Sequence, residues 1–101
     1  MSSPVSSAAR VVADKALPSP LAISFLVQAH SEPGVMPRVL ELFAKRGLVP
    51  HKWHSTAAGP ILTIEVQMGG LGDNVADYIA RCMRQIVGVE TVLTSSARLP
   101  S

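Results

Sequence analysis

The chain has 101 residues, a formal net charge of +2 at pH 7, 48% hydrophobic residues and only 4% aromatic residues. This length suits one small domain, whose core must be built mainly from aliphatic side chains. Basic residues are scattered and Lys45-Arg46 is the only adjacent pair, so the stripe typical of nucleic-acid binding is missing. No apolar stretch is long enough to span a bilayer. We therefore expect neither nucleic acid nor a membrane as a partner.

Cysteine usage and the N-terminus bear on the cellular compartment. Cys82 is the only cysteine, which excludes an intrachain disulfide. It falls on the apolar face of a predicted helix, where a small buried hydrophobe is favoured over a nucleophile. The N-terminus lacks the basic start and compact apolar run of a secretory signal. These features favour a reducing, cytoplasmic location.

The chain opens with an arm and continues into a strand and a helix. Residues 1–20 are rich in Ser, Ala and Pro and predict a flexible N-terminal arm, in which residues 6–16 have fair helix propensity. Residues 21–29 alternate apolar and more polar side chains, which predicts a strand. Residues 35–46 predict the first helix and Gly47 its end. The apolar face of this helix has helical spacing: Val35, Val39, Leu42 and Phe43.

The middle of the chain predicts two strands joined by a hairpin. Residues 48–56 form the second predicted strand. Pro50 within it indicates a sheet edge, because proline cannot donate to a strand ladder. Residues 57–60 predict the hairpin connection. Residues 61–68 form the third strand, with its even-numbered apolar residues toward the core.

The last part of the chain predicts a helix, a strand and a tail. Asp73 or Asn74 can cap the second helix. Its predicted apolar stripe comprises Val75, Ile79, Cys82, Met83 and Ile86. Residues 89–95 predict the fourth strand, and residues 96–101 a short loose tail.

The element order β-α-β-β-α-β determines the predicted architecture. Right-handed crossovers favour a four-stranded antiparallel sheet of order 4-1-3-2 with both helices on one face. The fold class is therefore α+β, a ferredoxin-like plait over residues 21–95. Many functions use this arrangement, so the function must be argued from a site.

The best candidate site is the connection between the first strand and the first helix. Pro33-Gly34 is a strong turn signal, and Gly34 has access to conformations that are closed to other residues. The helix start that follows offers free N–H groups, which favour an anion such as a carboxylate. An ordinary strand-to-helix connection is the alternative, and His30 is equally compatible with a ligand contact or a solvated loop position. The candidate effector-binding residues are His30, Ser31, Glu32, Gly34, Val35 and Met36.

Other chemistry is weakly indicated. His51 and His54 are spaced so that a strand places them on opposite faces, so no metal site is expected. Trp53 suits core or subunit-interface packing better than ligand stacking. The acidic residues lie in separate loops and termini, and no nucleophile is paired with a base. The chain is therefore not expected to be an enzyme or to bind a cofactor.

The loop and first helix contain four short motifs in order: Glu32-Pro33-Gly34, Arg38-Val39, Leu42-Phe43 and Lys45-Arg46-Gly47. With these motifs the segment resembles the ACT domain, and most closely the version in the small regulatory subunit of acetolactate synthase, in its short form. The resemblance covers about residues 21–95. Two positions depart from it: Ser31 replaces a common asparagine, and Pro37 replaces a common serine. Ser31 is shorter than asparagine and reaches less far toward an amino acid, and Pro37 removes a side-chain hydroxyl and one N–H.

The resemblance implies a regulatory module. Such domains pair, commonly as homodimers with a continuous sheet, and bind an amino acid between the loop of one subunit and the edge strand of its neighbour. The implied interface residues are Pro50, His51 and Trp53. The implied effector is valine-like, and the implied partner is the catalytic subunit of acetolactate synthase, a thiamine-diphosphate enzyme of branched-chain amino acid biosynthesis. The alternatives are a stand-alone amino-acid sensor and a purely structural dimerisation module.

Overall fold

The computed structural model describes residues 21–98. The elements are β1 (Leu21–His30), α1 (Val35–Ala44), β2 (Lys52–Ala58), β3 (Ile61–Gly69), α2 (Asp73–Arg84) and β4 (Val89–Arg98). The predicted arm at residues 1–20, with its short helix, lies outside the described residues, as do residues 99–101. None of the helices within residues 21–98 has the length and hydropathy needed to cross a membrane.

The four strands form one antiparallel sheet of order β2-β3-β1-β4. This is the predicted 4-1-3-2 order read from the other edge, so the ferredoxin-like prediction is confirmed. Both helices contribute to one buried cluster with a single face of the sheet. The other face carries no helix within the described residues.

The core follows the predicted alternation. In β1, Phe25 and Val27 are fully buried, and in β3, Ile64 is fully buried. From α1, the side chains of Val35, Val39 and Phe43 reach the same cluster. The rings of Phe25 and Phe43 meet edge to face, with centroids 5.7 Å apart and an interplanar angle of 76°. This geometry is favourable for aromatic pairs beyond the area that they bury.

The second helix differs from its prediction in two respects. Gly72 is the N-cap and no side chain caps the helix, so Asp73 begins the helix rather than capping it. Val75 is 39% exposed and Cys82 is only half-buried. The buried face instead comprises Ala76, Ile79, Ala80 and Met83. Two of these buried residues are small alanines, whereas apolar spacing alone placed the larger Val75 on the buried face.

The boundaries of the strands also differ from prediction. β2 begins at Lys52, so Pro50 precedes the strand and is not the cause of its edge position. The hairpin is shorter than predicted and turns on Gly59 and Pro60 alone. Gly59 has φ +60°, as type II′ turns require at their first central residue. β4 continues to Arg98 rather than ending at Ser95, because it pairs with the whole length of β1.

Candidate functional site

The loop between β1 and α1 is tied to two neighbouring turns. His30 N–H donates to Gly88 O at 2.8 Å, in the turn before β4. Ser31 N–H donates to Pro60 O at 2.9 Å, in the β2–β3 hairpin, and Glu32 N–H donates to His30 O at 2.8 Å. The start of the loop is therefore held by backbone bonds from both sides.

The start of α1 retains two free backbone donors. Val35 N–H donates to Glu32 O at 3.2 Å, and Pro33 and Pro37 have no N–H. The amides of Gly34 and Met36 have no backbone acceptor within residues 21–98. The first turn thus offers an anion two N–H groups, fewer than the four that an unbonded helix end would present.

Gly34 matters for the space that its missing side chain leaves. Its φ of −79° and ψ of −10° are available to any residue, so the conformational freedom of glycine is not used here. A Cβ at this position would lie 2.9 Å from Nη1 of Arg38. The Arg38 guanidinium therefore lies back across Gly34, at the helix end that carries the two free amides. The missing side chain makes room for this arginine.

Glu32 supplies the negative charge of the loop. A Cβ built on Gly88 would lie 3.5 Å from Glu32 Oε1 and 3.3 Å from Cγ2 of Val35, so the carboxylate rests above the turn before β4. Gly88 itself has φ +99°, which favours glycine, and its lack of a side chain admits Glu32. The loop consequently presents an acceptor for an ammonium group close to donors for a carboxylate.

The remaining loop candidates differ in how they are presented. Because the side chain of Ala29 is buried toward the helices, strand alternation places His30 toward the open sheet face. There its Nε2 lies 3.0 Å from Oε2 of Glu90, with both side chains more than half exposed. Val35 is fully buried, Met36 is half-buried and Ser31 is exposed. The helix start thus offers Ser31 as an accessible hydroxyl and Val35 only as support.

Within one chain, the predicted interface residues lie far from the loop. Pro50 and His51 precede β2, and Trp53 is half-buried at the margin of the core. Lys52 pairs with Gln67 at one end of the sheet. The opposite end of β2 is the one that meets the hairpin and the loop. A single chain therefore does not bring the two sets of residues together.

The open sheet face carries little metal-binding potential. His54 pairs across the strands with Glu65, and its Nε2 lies 3.3 Å from Oγ1 of Thr56. No group of three or more His, Cys, Asp or Glu side chains in residues 21–98 is arranged to hold a metal ion.

Comparison with known families identifies the domain. The sequence matches the family described as the ACT-like domain over residues 19–100. The chain belongs to this family. No curated protein matches its sequence.

Solved structures share the fold of this ACT-like domain. One is the crystal structure of the ACT domain from GTP pyrophosphokinase of Chlorobium tepidum, with a TM-score of 0.65 and 14% identity over 73% of this chain and 96% of that chain. Another is an uncharacterised protein from Thermotoga maritima, with a TM-score of 0.64 and 13% identity over 76% of this chain and 96% of that chain. At this identity the likeness concerns the fold alone.

The sequence-based candidate set lacks one residue of this ACT-like domain, Arg38 in the first turn of α1. Arg38 lies four positions after Gly34, and this spacing places two residues on the same face of a helix. An arginine four residues after a glycine can extend its side chain back over the space that the glycine leaves. Arg38 therefore joins the candidate set as the positive group nearest the free amides.

Proposed function

We propose that this ACT-like domain is a non-catalytic regulatory module that binds a small amino acid at a site completed by a second copy of the chain. The observation that carries the proposal is the start of α1. There the free amides of Gly34 and Met36 lie beside the Arg38 guanidinium, which reaches back over Gly34.

These groups suit the two charges of an amino acid. Backbone amides at a helix N-terminus and a guanidinium both favour a carboxylate. Glu32, on the same loop, is placed to accept hydrogen bonds from an ammonium group. The proposed site keeps the predicted members: His30 and Ser31 at its edge, Val35 as support and Met36 as an apolar neighbour.

The free edge of β2 supports the pairing of two copies. The bond from Ser31 N–H to Pro60 O sets the alternation of the β1–β3 ladder, so odd-numbered β3 residues direct their backbone groups toward β2. Glu65 is one of these and pairs with His54, so even-numbered β2 residues bond β3. The residues whose backbone groups point outward are Trp53, Ser55 and Ala57.

A two-fold axis at Ser55 would pair all three of these outward-facing residues with residues of a second copy. Each outward residue then has a partner, with Trp53 of each copy opposite Ala57 of the other. In this register, His51 of the second copy lies level with Gly59, in the hairpin that bonds to the β1–α1 loop. The predicted interface residues Pro50, His51 and Trp53 would thereby reach the site from the neighbouring copy, although they are remote from it within one chain.

The opposite edge of the sheet is less available for pairing. The bond from His30 N–H to Gly88 O shows that even-numbered β1 residues bond β4. The register pairs Val27 with Val92, so Val92 directs its carbonyl outward. Arg84 Nη2 donates to this carbonyl at 2.9 Å. A charged side chain bound along an edge is a common means of protecting it, so β2 is favoured as the pairing edge.

We further propose the cytoplasmic catalytic subunit of acetolactate synthase as the regulated enzyme, with a valine-like effector. This finer assignment rests on the resemblance carried by Glu32-Pro33-Gly34 and Lys45-Arg46-Gly47. A stand-alone sensor would bind the amino acid without any enzyme. A structural module would pair without binding an amino acid.

Calorimetry with a panel of amino acids tests the site. We expect one or more small aliphatic amino acids to bind the wild-type protein. The Arg38→Gln variant should bind about tenfold more weakly, the scale of one lost charge-assisted hydrogen bond. Lys45→Gln is the matched control, because it removes the same charge just after α1 ends and should bind like the wild type. Absence of binding by every amino acid at millimolar concentration would refute the proposed site.

A further inference from the structure

A cluster of two cationic side chains and one aromatic ring lies on the outer surface of the helix layer. Arg46, just after α1, places its Cζ atom 4.6 Å from the centroid of the Tyr78 ring on α2. Arg81, one turn further along α2, places its Cζ atom 5.9 Å from the same centroid. Tyr78 is 45% exposed. These three residues are called the Arg-Tyr-Arg cluster below.

Neither arginine of this cluster has a carboxylate partner in the described part of the chain. Within residues 21–98, the only side-chain ion pair closer than 4.0 Å joins His30 and Glu90. Asp77 precedes Arg81 by one helical turn, a spacing that permits pairing, yet the guanidinium lies against Tyr78 instead. The aromatic face attracts each cation and restrains its side chain. Two guanidinium groups of like charge therefore lie beside one aromatic ring. A bound anion would reduce the repulsion between them.

The cluster is separate from the amino-acid site. Gly34 lies just before α1 and Arg46 just after it. A helix of ten residues is about 15 Å long. A small amino acid bound at Gly34 cannot reach the cluster, so the two arginines need another ligand.

We propose that the Arg-Tyr-Arg cluster docks an acidic segment, rich in Asp or Glu, of a partner protein. Planar guanidinium groups bind carboxylates in pairs of hydrogen bonds, and Tyr and Arg are the residue types enriched where interface energy concentrates. A second copy of this chain is a poorer occupant, because its own outer helix surface would bring the same positive cluster into contact. The inference goes beyond amino-acid binding and assumes no particular enzyme.

NMR titration of the full chain with hexaglutamate tests the proposal. Tyr78 is the only tyrosine, so its ring signals report on the cluster without ambiguity. We expect these signals and those of the two guanidinium groups to shift at low salt. Arg46→Gln and Arg81→Gln should each weaken binding by about fivefold, the effect of one lost charged contact. Lys45→Gln, which removes an adjacent charge outside the cluster, should change it by less than about twofold.

Several results would overturn the proposal. Equal weakening by Lys45→Gln would mean diffuse attraction to net charge. Inorganic phosphate, at the same concentration of negative charge as hexaglutamate, would produce equal shifts if the cluster were only a small-anion site. A lower melting temperature in Arg46→Gln with unchanged hexaglutamate binding would mean that the cluster only joins the helices. Failure of the amino-acid site would appear in calorimetry and would leave the hexaglutamate result unaffected.

Discussion

Arg38 occupies an electrostatically unfavourable place in its own helix. The N-terminal end of a helix carries partial positive charge, so a cation folded back over it costs about 0.3–1 kcal/mol at an exposed position. Burial in the core cannot offset this cost, because Arg38 is an exposed residue. A bound carboxylate would be attracted by the guanidinium and by the free amides together. A bound carboxylate at the proposed site would therefore offset the cost of this arrangement.

The Gly34→Asp variant tests the proposed binding site without disturbing the fold. The backbone at Gly34 suits any residue, and a new Cβ would meet only the flexible end of Arg38. We expect the variant to keep its melting temperature within a few degrees and to lose amino-acid binding, because the new carboxylate occupies and repels the anion position. Gly34→Ala adds the Cβ without the charge and displaces only the end of Arg38, so its binding should weaken by no more than about tenfold, as in Arg38→Gln. Unchanged affinity in Gly34→Asp would place the effector elsewhere.

The core offers a residue-scale test of packing. Phe43 is fully buried and meets Phe25 edge to face. Phe43→Ala should lower the free energy of unfolding by about 3–5 kcal/mol, through lost transfer energy and a cavity. Leu40, on the same helix, is 45% exposed. Leu40→Ala should change the unfolding free energy by no more than about 0.5 kcal/mol. Urea denaturation measures both, and similar losses in the two variants would contradict the burial described for α1.

At the scale of elements, the spacing of apolar residues predicted more of the fold than single residues such as Pro50 did. The order of elements, the inward faces of β1, β3 and α1, and the edge position of β2 follow from spacing in the sequence. Pro50 does not set the edge position of β2, because the strand begins after it, at Lys52. Whether valine or alanine faces inward on α2 depends on how closely the helix approaches the sheet, which is a tertiary property. Spacing along one helix carries no information about that distance.

In the candidate loop, too, the sequence predicts local features but not those that depend on distant parts of the chain. Its position and turn character were predictable from Pro33-Gly34 and the helix that follows. Which amides remain free was not, because Val35 N–H is taken up by Glu32 O and Ser31 N–H by a carbonyl in a distant hairpin. Long-range hydrogen bonds of this kind depend on the sheet register. The reach of Arg38 across Gly34 likewise depends on a side-chain conformation.

Ser55→Pro tests the pairing edge as an element. The backbone N–H of Ser55 points away from β3, so proline there removes only a donor directed outward and is tolerable in an edge strand. We expect Ser55→Pro to be a folded monomer and the wild type to sediment as a dimer. Thr56→Pro is the contrasting variant, because its N–H belongs to the β2–β3 ladder and its loss should destabilise the fold. A dimeric Ser55→Pro protein would exclude β2 as the pairing edge.

At the scale of the whole molecule, the three proposed surfaces occupy different parts of one chain. The proposed amino-acid site lies at the start of α1, the proposed pairing edge runs along β2, and the Arg-Tyr-Arg cluster lies beyond the other end of α1. Ligand binding at the first can influence the second, because the loop bonds to the hairpin that ends β2. An effector that favours one arrangement of the pair would thereby change what the pair presents to a partner.

Reconstitution with a thiamine-diphosphate-dependent acetolactate synthase tests this coupling. We expect the wild-type protein to co-purify with the catalytic subunit and raise its activity, and a bound valine-like amino acid to reverse part of that rise. Gly34→Asp should still bind and activate the enzyme but should not respond to the amino acid, because its site is blocked while the pairing edge and the cluster are intact. Arg81→Gln should respond to the amino acid yet bind the enzyme more weakly, if the cluster receives an acidic segment of that enzyme. A wild-type protein that binds valine by calorimetry but neither binds nor activates any such synthase would act as a stand-alone sensor, and the enzyme assignment would be wrong.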